Sequence, residues 1–170
     1  MEPIMNSLVR LARLEDAEAI SQLASLTFPM ACPISTPTDD LKSYIESHLN
    51  VECFKSILKL SEKIVHVIDF KDKIIGYSML GLRPEPLGIS KADGIVELTR
   101  CYVLAEFHGV GHAKSLVSTT LQSVSGSVRL LVNDENERAI HFYKRLGFSP
   151  VGETYFYVGE DKHRDLVMVN

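Results

Sequence analysis

The stretch that decides the fold is RCYVLAEFHGVGHAKSL, residues 100–116. An apolar run typical of a strand leads into Gly109 and Gly111 and then into helix-forming residues. The first turn of a helix carries backbone N–H groups without intrahelical partners, and the helix dipole adds positive charge there. Because glycine has no side chain, an anion can approach this backbone directly. The stretch therefore predicts a strand, a turn and a helix start that could bind a phosphate.

Two common phosphate-binding motifs do not fit this turn. Lys114 has the wrong spacing for the GxxxxGK[ST] loop, and it also stands where GxGxxG would need its third glycine. A Gly-x-Gly turn alone is equally typical of an ordinary tight turn, so the surrounding sequence has to decide.

Periodicity on both sides of this stretch predicts a mixed sheet with helices packed on its faces. The predicted strands are 7–13, 64–70, 73–82, 94–104, 127–132, 154–159 and 165–169. The predicted helices are Ala19 to Leu26, Thr38 to Leu49, 113–124 and 139–146, the last closed by Gly147. We expect the first helix to stop at FPMACPISTP (28–37), because three prolines forbid its continuation.

Composition predicts a single domain over residues 1–170, with 45% hydrophobic and 24% charged residues. The net charge of −4 implies no basic face, so nucleic acid is a poor candidate partner, whereas a small cation would suit it. The three cysteines have neither CxxC nor metal-ligand spacing, which favours reduced thiols in the cytoplasm and no metal. No apolar run approaches the roughly 18 residues of a membrane span, and MEPIMNSLVR lacks the plan of a secretory signal.

From Val96 to Ser149 the chain resembles the Gcn5-related N-acetyltransferases, which take an acetyl group from acetyl-CoA. The pyrophosphate loop of that family runs Arg or Gln, two residues, Gly, one residue, Gly or Ala. Here it falls on residues 108–113, where both small positions match and His108 replaces the leading Arg or Gln. The second block, VNDENERAIHFYKRLGF (132–148), is more specific, with matches at Asn136, Ala139, Tyr143, Gly147 and Phe148.

A closer resemblance, to the PaiA-type branch of this family, extends over most of the chain. It rests on TF (27–28), TPTDDLKSYIESHLN (36–50), GY (76–77), ELTRCYVLAEFHGVG (97–111) and FYVGEDKHRDLVM (156–168). That branch includes polyamine acetyltransferases. The resemblance therefore implies direct transfer, in a ternary complex, from acetyl-CoA to an amine such as spermidine or spermine.

The resemblance also implies a fold and a set of cofactor contacts. The fold is a twisted, mostly antiparallel sheet of six to seven strands with helices on both faces and two splayed parallel strands that hold acetyl-CoA. The pantetheine arm would lie against main-chain groups of Cys101, Tyr102 and Val103. The ribose phosphate could meet Lys114 or Lys144, and Asn136 would bond the pantetheine or cap its helix. The pyrophosphate would contact His108, Gly109, Val110, Gly111, His112 and Ala113.

Two residues are candidates for the chemistry. Tyr143 matches the tyrosine that protonates the departing thiolate, although a core aromatic would also fit its place on the stripe. Glu97 is the candidate base, since a carboxylate in an apolar strand needs a polar cleft or a partner. It could act through water, hold the cationic amine, or form an ion pair with Arg83 or Arg164. Simple alternation puts Glu97, Thr99, Cys101 and Val103 on one face of the strand.

Other interpretations stay open at this point. The acceptor could be a protein or peptide amine or an aminoglycoside-like drug. The chain could also be a non-catalytic CoA-binding regulatory module or a nucleotide-phosphate binder, although the latter leaves the 132–148 block unexplained. The final strands could pair across a homodimer.

Overall fold

The computed structural model describes residues 7–170, which form one seven-stranded sheet with helices on both faces. Short 3₁₀ turns lie at Leu14–Asp16 and Ala105–Phe107. The sheet order is β1-β2-β3-β4-β5-β7-β6. The elements are β1 (Ser7–Leu11), α1 (Ala17–Ala31), α2 (Thr38–His48), α3 (Val51–Leu58), β2 (Lys63–Phe70), β3 (Lys73–Gly81), β4 (Val96–Val103), α4 (His112–Gln122), β5 (Val128–Asn133), α5 (Glu137–Arg145), β6 (Ser149–Val158) and β7 (Asp161–Val169).

The parallel strands β4 and β5 are paired over only part of their length. Their register joins residues 96–98 to 128–130, and beyond Leu98 the two strands separate toward Val103 and Asn133. The other neighbouring strands pair antiparallel. The predicted mixed, mostly antiparallel sheet with a splayed parallel pair is therefore confirmed, and the separation creates an opening in the middle of the sheet.

Each face of the sheet is covered by its own helices. On one face, α1, α2 and α3 pack on β2 and β3, with Phe28, Phe54 and Tyr77 in the buried core. On the other face, α4 packs on β2, β3 and β4 and α5 packs on β5 and β7, around Leu98, Val117 and Phe148. The opening between β4 and β5 therefore lies between two helical layers.

A β-bulge in β4 changes which side chains share a face. Met79 pairs with Arg100 but Leu80 pairs with Leu98, so Thr99 is an extra residue without a partner on β3. As a result, Leu98 and Cys101 pack in the same core cluster, whereas Tyr102 packs with the opposite layer. The simple alternation that grouped Glu97 with Cys101 and Val103 is therefore wrong.

Several predicted boundaries also differ from the structure. Helix α1 runs through Pro29 to Ala31, because a proline in the last turn removes only one helical hydrogen bond. The predicted second helix is divided at Asn50, whose side-chain oxygen accepts the Cys53 N–H (2.9 Å) and starts α3. Strand β6 begins at Ser149, ahead of the predicted position, because a bulge near Pro150 hides its alternation.

Candidate active site

A cavity of about 750 Å³ opens where β4 and β5 separate. It lies between the end of β4, the glycine turn, the last two turns of α1 and one side of α5. Its lining is Thr27, Met30, Ala31, Cys101, Tyr102, Val103, Phe107, His108, Gly109, Gly111, Ala113, Lys114, Asn136, Arg138, Ala139, Phe142, Tyr143, Arg145 and Leu146.

The glycine turn presents backbone rather than side chains to this cavity. Gly109 and Gly111 have φ of 80° and 94°, in the left-handed region that favours glycine. Gly111 is the residue before α4, so its position offers no capping side chain to the first N–H groups of that helix. Apart from Gly109 and its two chain neighbours, no atom of residues 7–170 lies within 4 Å of the position that a Cβ would take at Gly109. The turn therefore has the N–H groups, helix dipole and space that a pyrophosphate requires.

The histidines and valine of the turn do not all face the cavity. The His108 Nε2–H donates to the Val103 carbonyl oxygen (2.6 Å), so this ring is tied to the end of β4. His112 is buried, with its ring centroid 5.5 Å from that of Phe70 and 6.0 Å from that of Phe107. Val110 is exposed and is not part of the cavity lining. At positions 110 and 112, therefore, the predicted contact with the pyrophosphate can come only from backbone groups.

The end of β4 lines the cavity with Cys101, Tyr102 and Val103, as the resemblance implies. Burial raises the pKa of the Cys101 thiol to about 12, although the nearby Tyr143 hydroxyl opposes the shift. A thiol with such a pKa is a poor nucleophile at neutral pH. Cys101 is therefore a small strand residue beside Tyr143 rather than a nucleophile.

Tyr143 lies on α5, opposite the end of β4, and lines the cavity. Its hydroxyl is within hydrogen-bonding reach of the Cys101 thiol, and its ring packs edge-on against Phe148 with centroids 5.7 Å apart. Burial, followed by the effect of Cys101, holds the pKa of Tyr143 well above its ordinary value. The hydroxyl therefore stays protonated over the physiological range and can act as a proton donor.

Asn136 caps its helix, which is one of the two roles considered for it, and the contact with pantetheine stays a prediction. Its side-chain oxygen accepts the Ala139 N–H (3.2 Å) and caps α5, and the residue also lines the cavity. Lys114 and Ala113 line the cavity from the first turn of α4.

Sequence reasoning missed two basic residues of the cavity, Arg138 and Arg145 on α5. Lys144, the other lysine considered for the ribose phosphate, is not part of the lining. Positions 138, 142, 145 and 146 recur at helical spacing along one side of α5. Arg138 and Arg145 could have been predicted by extending the helical spacing from Tyr143 along this side of α5.

Glu97 does not line the cavity, in contrast to its predicted role as base. Its carboxylate accepts from Arg129 Nε (2.8 Å), and Arg129 lies directly opposite it on β5. Arg129 is 1% exposed and also donates to the carbonyl oxygens of Glu85 (2.6 Å) and Ala92 (3.2 Å). This network fixes the loop between β3 and β4. The position of Glu97 therefore favours the ion-pair interpretation, with Arg129 in place of Arg83 or Arg164.

A polar cluster lies beyond the end of α1, on the side of the sheet that α1 and α2 cover. His163 Nε2 donates to Asp161 Oδ2 (2.5 Å) and lies 3.2 Å from Thr36 Oγ1, in the α1–α2 connection. Asp165 is 9% exposed, and burial raises its pKa to about 6. Cys32 is close enough to be affected by the charges of Asp161 and Asp165, and burial raises its pKa to about 12. Asp161, His163 and Asp165 alternate within the quoted segment 156–168, but only folding brings them close to Thr36 and Cys32, which is why the sequence did not reveal the cluster.

Neither a metal cluster nor a membrane-spanning helix is found in the described part of the chain. Between Ser7 and Asn170, no group of three or more His, Cys, Asp or Glu side chains is arranged to hold a metal ion. Within the same range, no helix is both long enough and apolar enough to cross a membrane.

Comparisons with known proteins agree with this geometry. The profile of the Acetyltransferase (GNAT) family matches residues 17–148. A relative from Mycobacterium bovis, described as an uncharacterized N-acetyltransferase, is 32% identical over 158 residues, which cover 91% of this chain and 96% of the relative.

Solved structures show the same fold. PaiA N-acetyltransferase from Thermoplasma acidophilum, in complex with coenzyme A, superposes with a TM-score of 0.73 at 16% identity, covering 96% of this chain and 98% of that one. NAA60 from Arabidopsis thaliana, in complex with a bisubstrate analogue, has a TM-score of 0.71 at 20% identity, covering 96% and 97%. The chain therefore belongs to the GNAT family and is an acetyl-CoA-dependent N-acetyltransferase, an acyltransferase.

Proposed function

We propose that this enzyme transfers the acetyl group of acetyl-CoA directly to a primary amine of spermidine or spermine, in a ternary complex. The observation that carries the choice of acceptor is the pair of β7 carboxylates Asp161 and Asp165, whose charges act on Cys32, the residue that follows Ala31 of the cavity lining. Negative charge at this position favours a cationic acceptor.

Acetyl-CoA would occupy the cavity between β4 and α5. Its pyrophosphate would accept from the backbone N–H groups at residues 109–113, with Lys114, Arg138 and Arg145 close to its phosphates. Its amide-containing arm would follow the free edge that β4 offers beyond Leu98. Cys101, Tyr102 and Val103 would supply that edge, and Asn136 the opposite wall.

In the transfer, the neutral amine nitrogen attacks the thioester carbonyl carbon and the carbon–sulfur bond breaks. Tyr143 donates its hydroxyl proton to the departing thiolate, because its pKa is held high and its hydroxyl lies beside Cys101 at the end of β4. The nitrogen loses a proton, which restores Tyr143 through water.

The acceptor would enter between the α1–α2 connection and the β6–β7 hairpin, beside the buried contact of Thr36 with His163. An entrance there would be acidic, because Asp161 and Asp165 lie close enough to Cys32 for their charges to affect its thiol. Two or more ammonium groups separated by methylene chains match such a charge pattern better than a neutral peptide does.

A peptide amine is a second candidate acceptor, and one observation favours it. Arg100 Nη1 is buried and has no hydrogen-bond partner among the described residues, and the guanidinium lies 5.6 Å from the Phe54 ring centroid. Arg100 borders a second cavity of about 530 Å³ next to α2 and α3. A carbonyl or carboxylate of a peptide acceptor would suit this unsatisfied donor.

The cellular setting is part of the same proposal. Cys32, Cys53 and Cys101 are free thiols, which suits the reducing cytoplasm. A homodimer through the final strands would use β6, which is an edge strand of the sheet.

The test is a thiol-release assay with acetyl-CoA and a panel of acceptors: spermidine, spermine, an N-terminal peptide, free amino acids and an aminoglycoside. We expect turnover with spermidine and spermine at lower KM than with any other acceptor. Turnover of the peptide without turnover of either polyamine would contradict the polyamine assignment and favour the second candidate. Binding of acetyl-CoA without turnover of any amine would identify a non-catalytic CoA-binding module.

A further inference from the structure

We propose that Asp165 is the residue that binds the acceptor ammonium group and takes its proton before the attack on the thioester. This inference rests on the proposed acetylation of a cationic amine, and it assigns the base role to β7 instead of β4. It follows from the position of Asp165 in the sheet, the absence of an ion pair to its carboxylate among residues 7–170, where His163 is paired with Asp161 instead, and its proximity to Cys32 after α1.

The sheet places Asp165 beside the opening between β4 and β5. Asp165 pairs with Asn133, the last residue of β5, at the end where β5 has separated from β4. Leu166 and Met168 pack with α5, so Asp165 points to the opposite side, as His163 does. That is the side of α1 and α2, away from the glycine turn.

Among the buried residues that the structure describes, only Asp16 and Asp165 are carboxylates. Arg10 pairs with Asp16 through two nitrogens, at 2.8 and 3.1 Å. Within residues 7–170, Asp165 has no Lys, Arg or His nitrogen at ion-pair distance, and its hydrogen-bonding neighbour is the neutral Asn133 amide. A carboxylate buried without a cation costs free energy, which an ammonium ligand would recover.

The end of α1 connects Asp165 to the cavity. Met30 and Ala31 line the cavity, and the next residue, Cys32, is close enough for the Asp165 and Asp161 charges to affect its thiol. An acceptor that bound on this side of the sheet could bring its ammonium group to the Asp165 carboxylate. Glu97 cannot serve this purpose while it is paired with Arg129.

The proton balance is simple. The ammonium group gives one proton to the Asp165 carboxylate and becomes a neutral amine, which then attacks the carbonyl carbon. Tyr143 gives its hydroxyl proton to the departing thiolate, and the second nitrogen proton, which leaves as the amide forms, returns through water to Tyr143. One proton in total is released to water from the Asp165 carboxyl group, which regenerates the carboxylate.

The groups around Asp165 set the pH range of this step. They are Cys32 from α1, His163 and Asp161 from β7, Asp134 after β5, and the neutral Asn133 and Thr154 on the flanking strands. Burial raises the pKa of Asp165 to about 6, Asp134 adds to the shift, and His163 and Asn133 oppose it. The carboxylate is therefore ionised above pH 6, and we expect kcat/KM for the acceptor to fall below that pH.

The experiment compares wild type with Asp165→Asn, Asp165→Glu and the control Glu153→Gln, an acid-to-amide change on the exposed part of β6. Each protein is assayed from about pH 5 to 9 with acetyl-CoA and the best acceptor of the panel, a range that spans the pKa of the carboxyl group. For Asp165→Asn we expect kcat/KM for the acceptor to fall by about 10²–10⁴-fold, as for other lost proton-transfer groups, with KM for acetyl-CoA unchanged. The acidic limb near pH 6 should disappear in Asp165→Asn and persist in Glu153→Gln. Asp165→Glu should recover part of the activity.

The outcomes separate this inference from the proposed function. Full activity of Asp165→Asn with the same acidic limb would overturn the role of Asp165 and leave the acetyltransferase function intact. Wild-type turnover of a peptide but not of spermidine would refute the polyamine proposal, while the same variants assayed with the peptide would still decide the role of Asp165. A loss of activity in Asp165→Asn that also raises KM for acetyl-CoA and lowers the melting temperature would overturn the inference too, because a structural role would explain it.

Discussion

The two sides of the opening between β4 and β5 are built in different ways. On the glycine-turn side, Gly109, Gly111 and the start of α4 offer backbone N–H groups within one continuous segment. On the other side, Asp165, His163 and Thr36 offer side chains from segments more than 100 residues apart. Backbone recognition needs glycines at fixed spacing and therefore leaves a motif, whereas the side-chain cluster exists only after folding.

This difference explains why the cosubstrate can be identified from the sequence and the acceptor cannot. All members of the family that bind acetyl-CoA can share the backbone cradle, which is the set of N–H groups of the glycine turn and the start of α4. The acceptor side can change through single side chains without any effect on that cradle. Variants on each side test whether the two are as separable as the structure indicates.

The largest effect is expected at the chemistry between the two sides. Tyr143→Phe removes the proton donor to the thiolate while keeping the ring that packs on Phe148. We expect kcat to fall by about 10²–10⁴-fold with KM for acetyl-CoA within a few-fold of wild type. Phe142→Leu, at the neighbouring cavity position, is the control for packing. Steady-state kinetics would contradict the assignment if Tyr143→Phe kept the wild-type kcat.

We expect substitutions in the Glu97–Arg129 pair to change the free energy of unfolding rather than the rate of the chemical step. Arg129→Met leaves the Glu97 carboxylate without its partner, and we expect a loss of about 3–5 kcal/mol in the free energy of unfolding, as for other broken buried pairs. The double variant Glu97→Gln with Arg129→Met should recover part of that loss. Urea denaturation measures both.

A substitution at Glu97 also distinguishes a general base on β4 from a general base on β7. Because Glu97 does not line the cavity, Glu97→Gln should keep kcat within a few-fold of wild type in the folded protein. A loss of kcat in Glu97→Gln comparable to that of Tyr143→Phe, with normal stability, would return the base role to β4.

Gly109→Ala tests the backbone cradle, and Gly126→Ala is a matched control. Both glycines have φ near 80°, and apart from each glycine and its two chain neighbours no atom of residues 7–170 lies within 4 Å of the Cβ position. Both variants should lose about 1–2 kcal/mol of stability from the left-handed backbone. Because only Gly109 lines the cavity, only Gly109→Ala should weaken acetyl-CoA binding, by about 10-fold or more, measured by calorimetry. Equal binding by both variants would place the anion elsewhere.

Asp165 should also influence the pH dependence of stability. The pKa of Asp165 in the folded protein is about 6, which is above the ordinary value of 3.8. Between these two pH values Asp165 ionises more readily in the unfolded chain than in the native state. The native state therefore loses stability as the pH rises from 3.8 to about 6. Asp165→Asn removes this loss. We expect the variant to be more stable than wild type near pH 7.5, by on the order of 1–2 kcal/mol, and equally stable near pH 4. Thermal unfolding at the two pH values measures the difference, and a variant less stable than wild type in the neutral buffer would contradict it.

The sequence predicts the mixed sheet with its helices and the glycine turn of the cosubstrate side, but not Arg138 and Arg145 on that side. The stripe at Ala139 and Tyr143 predicts α5, whereas the splayed pair of strands is implied by the family resemblance. Sequence reasoning fails where one residue alters the register, since the bulge at Thr99 breaks the alternation that placed Glu97 with the cavity residues. It also fails where a charge lies inside an apolar strand, since the run that contains Arg129 has the pattern of a plain buried strand. Neither a β-bulge nor an ion-pair partner on a neighbouring strand can be recognised from the local periodicity of the sequence.

Parallel measurement of both Michaelis constants in Gly109→Ala and Asp165→Asn tests the separation of the two sides most directly. We predict a crossed result, in which Gly109→Ala raises KM for acetyl-CoA without changing KM for spermidine. Asp165→Asn should lower kcat/KM for spermidine without changing KM for acetyl-CoA. If both variants changed the constants of the same substrate, the two sides would form one site, and their separate recognition of cosubstrate and acceptor would be refuted.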